Sequence, residues 1–300
     1  MRVVLIVVLI LLALIVAMGY LLSDRALRIK QQSLEDARKW QEAHYDITWY
    51  DAMEKRDYEV KSFDGYVLHA QLLPDPAAGD RYIILSHGYT DNRLGSLKYA
   101  RMYLELGFNV IIYDLRGHGL NAPAYCTYSA REARDLDALV RDTRARYGGI
   151  RLLGLHGESL GAATTVAALK YRPQVDFAVA DCGFSEIGSI LRAGLRGMHL
   201  PGWLLNVAGV FSKMRCGYAF SEMRPIDSLA GNEVPVLFIH GDADGFIPYS
   251  HSADMCRAAG DKGELRLIPG TKHAASIFTD PDAYRKYVGD FIEKVEKNKG

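Results

Sequence analysis

Two textures divide the chain. Val3 to Leu22 is an unbroken apolar run without a charge, and about 20 such residues are enough for a helix to cross a hydrocarbon core. Residues 23–56 mix charges with scattered apolar positions, which predicts a helical spacer able to lie on a membrane surface. From Asp57 onward short apolar runs alternate with helical patterns. The stretch "YEVKSFDGYVLHAQLLP" alternates around Asp64-Gly65 and predicts a hairpin. The runs at 81–88, 108–114, 149–157, 175–181, 234–241 and 264–270 are mostly continuous, as expected of strands buried on both faces of a parallel sheet. Helical patterns cover 96–106, 130–147, 160–171, 250–259 and 281–297. Strand following helix in this way predicts one doubly wound α/β domain over 57–300, with right-handed crossovers.

One interval breaks the rhythm. The segment between Asp181 and Val234 is too long for a plain crossover. Its apolar residues predict a helical insertion at about 183–230 with an apolar underside. Ligands of open α/β sheets bind at the carboxyl ends of strands, so an insertion leaving from there is placed to form a lid. Met198, Trp203, Leu204 and Phe211 are its candidate pocket residues.

Charge and composition narrow the function. Thirty-six basic residues balance 36 acidic ones, and no basic stripe favours nucleic acid. The four cysteines form no C-x-x-C pair, so neither a zinc site nor a disulfide scaffold is expected. The apolar run exceeds the usual length of a signal-peptide core, which favours an uncleaved transmembrane anchor over residues 1–22. Arg25, Arg28, Lys30, Arg38 and Lys39 follow the run, while only Arg2 and the amino terminus precede it. That asymmetry favours a cytoplasmic domain, whereas a signal-anchor insertion gives the opposite side.

The chemistry centres on Gly157-Glu158-Ser159-Leu160-Gly161. A G-x-S-x-G sequence between a strand and a helix matches the elbow that exposes a nucleophilic serine, although a serine at a helix start also serves as a cap. A serine hydroxyl needs a base within reach and a third group to orient that base. His199, His240, His251 and His273 are the histidines downstream. His273 lies in the loop after the last strand, where its side chain can reach Ser159, and it is the candidate base. Asp244 is the candidate acid. Asp242 reads as a turn residue, and Asp181, at the end of the preceding strand, is the alternative acid. The backbone amides of Leu160 and Tyr89 are the candidate oxyanion donors. His87 and the "YDLRGHG" turn read as structural, and Glu158 as either a helix-start carboxylate or a substrate contact.

The motifs "LSHGYTDN", "YDLRGHG", "GESLGA", "FIHGDADGFIP" and "PGTKHAAS", in this order, resemble the α/β-hydrolase superfamily. They are most similar to bacterial membrane-anchored hydrolases of the serine aminopeptidase-like and Bem46-like groups. The resemblance implies an α/β-hydrolase fold: a mostly parallel eight-stranded sheet with its second strand antiparallel and helices on both faces. It also implies Ser159, Asp244 and His273 as a catalytic triad, with Tyr89 and Leu160 at the oxyanion hole and no cofactor. Esterases, thioesterases, lipases, acyltransferases and peptidases share this fold. The apolar lid and anchor favour an ester with an acyl chain over a peptide, whose free amine would call on Glu158 or Glu186. A vestigial, membrane-tethered binding protein is the reading from outside enzymology, and an incomplete triad would have favoured it.

Overall fold

In the computed structural model, which describes residues 1–299, the apolar runs form one sheet of eight strands. These are β1 (Arg56–Lys61), β2 (Val67–Leu73), β3 (Arg81–Ser86), β4 (Asn109–Tyr113), β5 (Leu152–Glu158), β6 (Phe177–Asp181), β7 (Val236–Gly241) and β8 (Gly263–Ile268). The spatial order is β1-β2-β4-β3-β5-β6-β7-β8. Strand β2 runs antiparallel to both its neighbours, and all other pairs are parallel. The chain passes from β3 outward to β4 and then back across to β5. The loops after β3 and β5 therefore leave the sheet side by side at the switch point, where a crevice opens.

Helices cover both faces, which explains the continuous apolar strands. Ile84, Leu153, Leu155, Ala180 and Phe238 pack with α5 (Glu132–Tyr147) and α6 (Leu160–Ala168). Ile83, Leu85, Leu152, Val179 and Leu237 face α4 (Leu97–Glu105) and α11 (Pro281–Lys299). Adjacent strand residues point to opposite faces, so both must be apolar.

The N-terminal helix α1 (Arg2–Leu27) is the one described helix long and apolar enough to span a membrane. The segment after it departs from the expected spacer. Helices α2 (Leu34–His44) and α3 (Thr48–Ala52) dock on the domain, with Ala37, Ile47 and Tyr50 in the core cluster on the α4/α11 face. The Tyr50 hydroxyl donates to Gln71 of β2 at 2.7 Å. These few apolar side chains find a sheet face to bury against, which a charge-rich pattern conceals.

The insertion contains α7 (Ile187–Gly197) and α8 (Leu204–Cys216), with short turns returning the chain to β7. After it come α9 (Ser250–Ala259) and α10 (Ser276–Thr279).

Candidate active site

Ser159 sits between β5 and α6 with φ +53° and ψ −112°, a conformation that costs a non-glycine residue on the order of 1–3 kcal/mol. The surroundings impose it. The Ser159 N–H donates to the Asp181 carbonyl at 2.8 Å. A Cβ on Gly161 would strike the Ser86 and His87 carbonyls, and one on Gly157 would strike the Gly161 carbonyl. Strand, turn and helix thus approach at backbone contact, and the serine side chain is turned out of the helix. It does not cap α6. Its Oγ lies 3.0 Å from His273 Nε2.

His273 follows β8, and its Nδ1 lies 2.7 Å from Asp244 Oδ2. A carboxylate can only accept, so Nδ1 carries the hydrogen and Nε2 is free to accept from Ser159. Asp244 is fixed on both oxygens: Oδ1 accepts the Phe246 and Ile247 amides, each at 2.9 Å. Burial alone would raise its pKa, but the bonds from His240 and His273, with the Ile247 amide, hold it far below the usual carboxylate range.

His240 is a participant that sequence reasoning placed merely at a strand end. Its Nε2 lies 2.8 Å from the Ile247 carbonyl and 3.2 Å from Asp244 Oδ2, and its Nδ1 lies 2.7 Å from Ser252 Oγ. The Ile247 carbonyl can only accept, so Nε2 carries a hydrogen, and the ring steadies the carboxylate from behind. The signal was its spacing, four residues before the acid. Asp242 instead accepts the Gly270 amide at 2.6 Å, joining the loops after β7 and β8.

Leu160 heads α6, where first-turn amides lack helical partners, and Tyr89 follows the β3 loop. Neither amide donates a hydrogen bond within the described residues. His87 is held neutral by burial, its pKa lowered to about 4. Its Nε2 accepts the Leu115 amide and its Nδ1 donates to the Gly88 carbonyl, fixing the loop that carries Tyr89. In "YDLRGHG", Asp114 accepts the Arg93 and Leu120 amides, while Arg116 pairs with Asp64 and Asp135.

A buried polar cluster lies beneath the elbow. Tyr99 Oη is 2.6 Å from Glu158 and 2.9 Å from Asp181, and Lys98 pairs with Glu158. The Tyr99 hydroxyl donates toward both carboxylates, so two acidic groups are brought together in a buried site. Burial, reinforced by the Glu158 charge, raises Asp181 to about 6. This also removes Asp181 as the alternative acid, because its side chain is turned to Tyr99 and Ser276 and not to His273. The native Asp181 carboxylate therefore binds a proton more tightly than in the unfolded chain, so protonated Asp181 supports the fold at low pH. That support is lost as pH rises from about 4 through 6. Between pH 4 and 8, Asp181→Asn should gain about 2 kcal/mol relative to wild type, read by chemical denaturation at both pH values. A constant difference would mean that Asp181 is ionised throughout.

A cavity of about 340 Å³ opens from Ser159. Its lining is almost wholly apolar, including Phe184, Ile187, Leu191, Leu195, Met198 and Ile247. Of the four residues expected to form the pocket, Met198 alone lines it. The other three do not, because the turn of α8 aims Leu205 and Ala208 inward. Phe211 packs edge-on against Tyr20 of α1, Leu204 is buried outside the cavity, and Trp203 is half exposed.

A family model described as serine aminopeptidase, S33, matches residues 78–214. The uncharacterized protein YqkD of Bacillus subtilis (strain 168) is 33% identical over 287 residues, covering 94% of each chain. Alpha/beta hydrolase domain-containing protein 17C of Homo sapiens is 29% identical over 221 residues, covering 71% of this chain and 57% of that protein. This chain belongs to the α/β-hydrolase superfamily. Among solved structures, the Pyrococcus furiosus esterase Pf2001 superposes with a TM-score of 0.69 at 21% identity, over 89% of this chain and 98% of that one. At that identity the likeness is one of fold. The strand order and elbow described above are thus those of an α/β-hydrolase.

Proposed function

We propose that this α/β-hydrolase is a membrane-anchored serine hydrolase that cleaves carboxylic esters through an acyl-enzyme. The observation that carries the reading is the hydrogen-bonded series Ser159–His273–Asp244 opening into an apolar cavity. Ser159 Oγ attacks the ester carbonyl as its proton passes to His273 Nε2, and the carbonyl electron pair moves onto oxygen. The Leu160 and Tyr89 amides receive that oxyanion. Collapse expels the alkoxide, which takes the proton from His273 and leaves as alcohol. Water then attacks the acyl-enzyme, giving its proton to His273, and the carboxylic acid departs as Ser159 regains its hydrogen. Asp244 keeps the imidazole in the required tautomer and stabilises its cationic form. Retention of α1 as the anchor is supported by its apolar length and by the packing of its last turns on the insertion, which acts as a lid.

An aminopeptidase needs a carboxylate where the free amine of its substrate would sit. Among the described residues, no acidic side chain lines the cavity. Glu158 is engaged with Tyr99 and Lys98, and Glu186 accepts the Ser189 amide at the start of α7. The ester reading is therefore preferred. The detergent-solubilised full chain should hydrolyse nitrophenyl esters with a maximum at one acyl length, and a serine-directed phosphonate should label Ser159. Faster turnover of aminoacyl nitroanilides than of any ester would favour the peptidase.

A further inference from the structure

The cavity has a wall that the catalytic domain does not supply. Leu22, Arg25 and Ala26, all on α1, line it beside the insertion. This end of the helix is firmly built in. The Leu27 carbonyl accepts the Cys126 amide at 2.9 Å, and the Ala26 carbonyl accepts the Tyr128 hydroxyl at 2.6 Å. Arg215 of α8 reaches back to the Tyr20 carbonyl and to Ser23. Gly19 is covered by Val207 so closely that a Cβ there would overlap it. Close approach at small residues is how helices associate within membranes.

The contacts also place the insertion relative to the span. Gly19 meets Val207, Tyr20 meets Phe211 and Ser23 meets Arg215, so α1 and α8 advance in the same direction. The turn between α7 and α8 therefore lies back along α1, beside its apolar run and on the order of 10 Å before its end at Leu22. That turn exposes Met198 and Trp203, 57% and 50% accessible, large apolar side chains suited to lipid contact beside the span. Arg25, one turn beyond the apolar run, is the one charged residue on the cavity wall among the described residues. It stands at the height where headgroups begin.

Resting on the esterase reading above, we infer that the substrate is a bilayer-resident ester with a single acyl chain. It reaches Ser159 sideways from the membrane, between the end of α1 and the α7–α8 turn. The chain leaves the hydrocarbon for a cavity of about 340 Å³, at the small end of the ligand-pocket range of roughly 300–1,000 Å³. The ester group stays at the headgroup boundary, where Ser159 meets it. Helix α1 is then a part of the binding site as well as a tether.

The test uses the full chain reconstituted in phosphatidylcholine vesicles, with nitrophenyl butyrate in water and methylumbelliferyl palmitate in the bilayer. Palmitate ester in the same vesicles as the protein should be hydrolysed, while ester in separate vesicles should be turned over at least ~10-fold more slowly. Ala26→Trp should narrow the opening and lower the palmitate-to-butyrate rate ratio roughly tenfold or more. Equal rates from same and separate vesicles would overturn the inference, as would turnover of butyrate without palmitate. An unchanged ratio in a folded Ala26→Trp protein would also overturn it. None of these results touches the esterase reading. That reading fails if Ser159→Ala leaves butyrate hydrolysis intact. The wild-type vesicle comparison decides the matter even if Ala26→Trp does not fold.

Discussion

Ser159→Ala and His273→Ala are each expected to lower kcat on a nitrophenyl ester by about a millionfold, with the double variant no worse than either single one. The proton on Ser159 Oγ has one acceptor within hydrogen-bond reach, His273 Nε2 at 3.0 Å. Removing either partner therefore ends the same step, and the free-energy losses cannot add. Asp244→Asn should cost less, about 10⁴-fold, because it leaves the nucleophile and base in place but favours the wrong tautomer of His273. Steady-state kinetics on these four variants beside wild type measure this. Additive losses, or a Ser159→Ala protein of full activity, would dissolve the proposed triad and return Ser159 to the role of a helix-start residue.

Gly161→Val is expected to destabilise the fold by about 4 kcal/mol or more, or to prevent folding. The new Cβ would occupy the space of the Ser86 and His87 carbonyls, which belong to the central strand β3 and the loop after it. Backbone atoms of a central strand cannot yield as a flexible side chain does. A valine also loses rotamer freedom in the first turn of α6. Chemical denaturation of the detergent-solubilised variant beside wild type checks it. A Gly161→Val protein of normal stability would show that β3 and α6 are not pressed together as described. This contact at Gly161, together with that of Gly157 on the Gly161 carbonyl, explains why the elbow is glycine on both sides of Ser159, and links the geometry of Ser159 to the stability of the sheet centre.

Much of this molecule was written locally. Strands such as "RYIILSHG" and "VDFAVAD" declare burial on both faces through unbroken apolar character, since neighbouring residues must satisfy opposite sides of a sheet. The positions of Ser159, Asp244 and His273 were legible because the loops after β5, β7 and β8 all leave the same edge of a parallel sheet. Chain order then states which loops can meet. The pocket was not legible in this way. A helix of mixed character such as "LLNVAGVFSKMRC" offers several apolar positions, and which face turns inward depends on what packs against the other. With α1 lying along Val207 and Phe211, Leu205 and Ala208 are left for the cavity.

The fate of residues 23–56 was hidden for a related reason. A few apolar side chains, Ala37, Ile47 and Tyr50 among them, dock this stretch on the domain, and docking depends on a partner surface far along the chain. His240 and Asp181 show the same limit in the polar interior. Their roles come from partners brought close by β6 and β7, namely Ile247, Ser252 and Asp244 for one and Tyr99 and Ser276 for the other. Periodicity and chain order thus settled the sheet, the elbow and the loops that carry Ser159, Asp244 and His273, because these follow from the pattern along one segment and the order of segments. The wall that α1 contributes to the cavity, and the buried cluster of Tyr99, Glu158 and Asp181 beneath Ser159, were decided by tertiary packing, because each needs surfaces distant in sequence to meet.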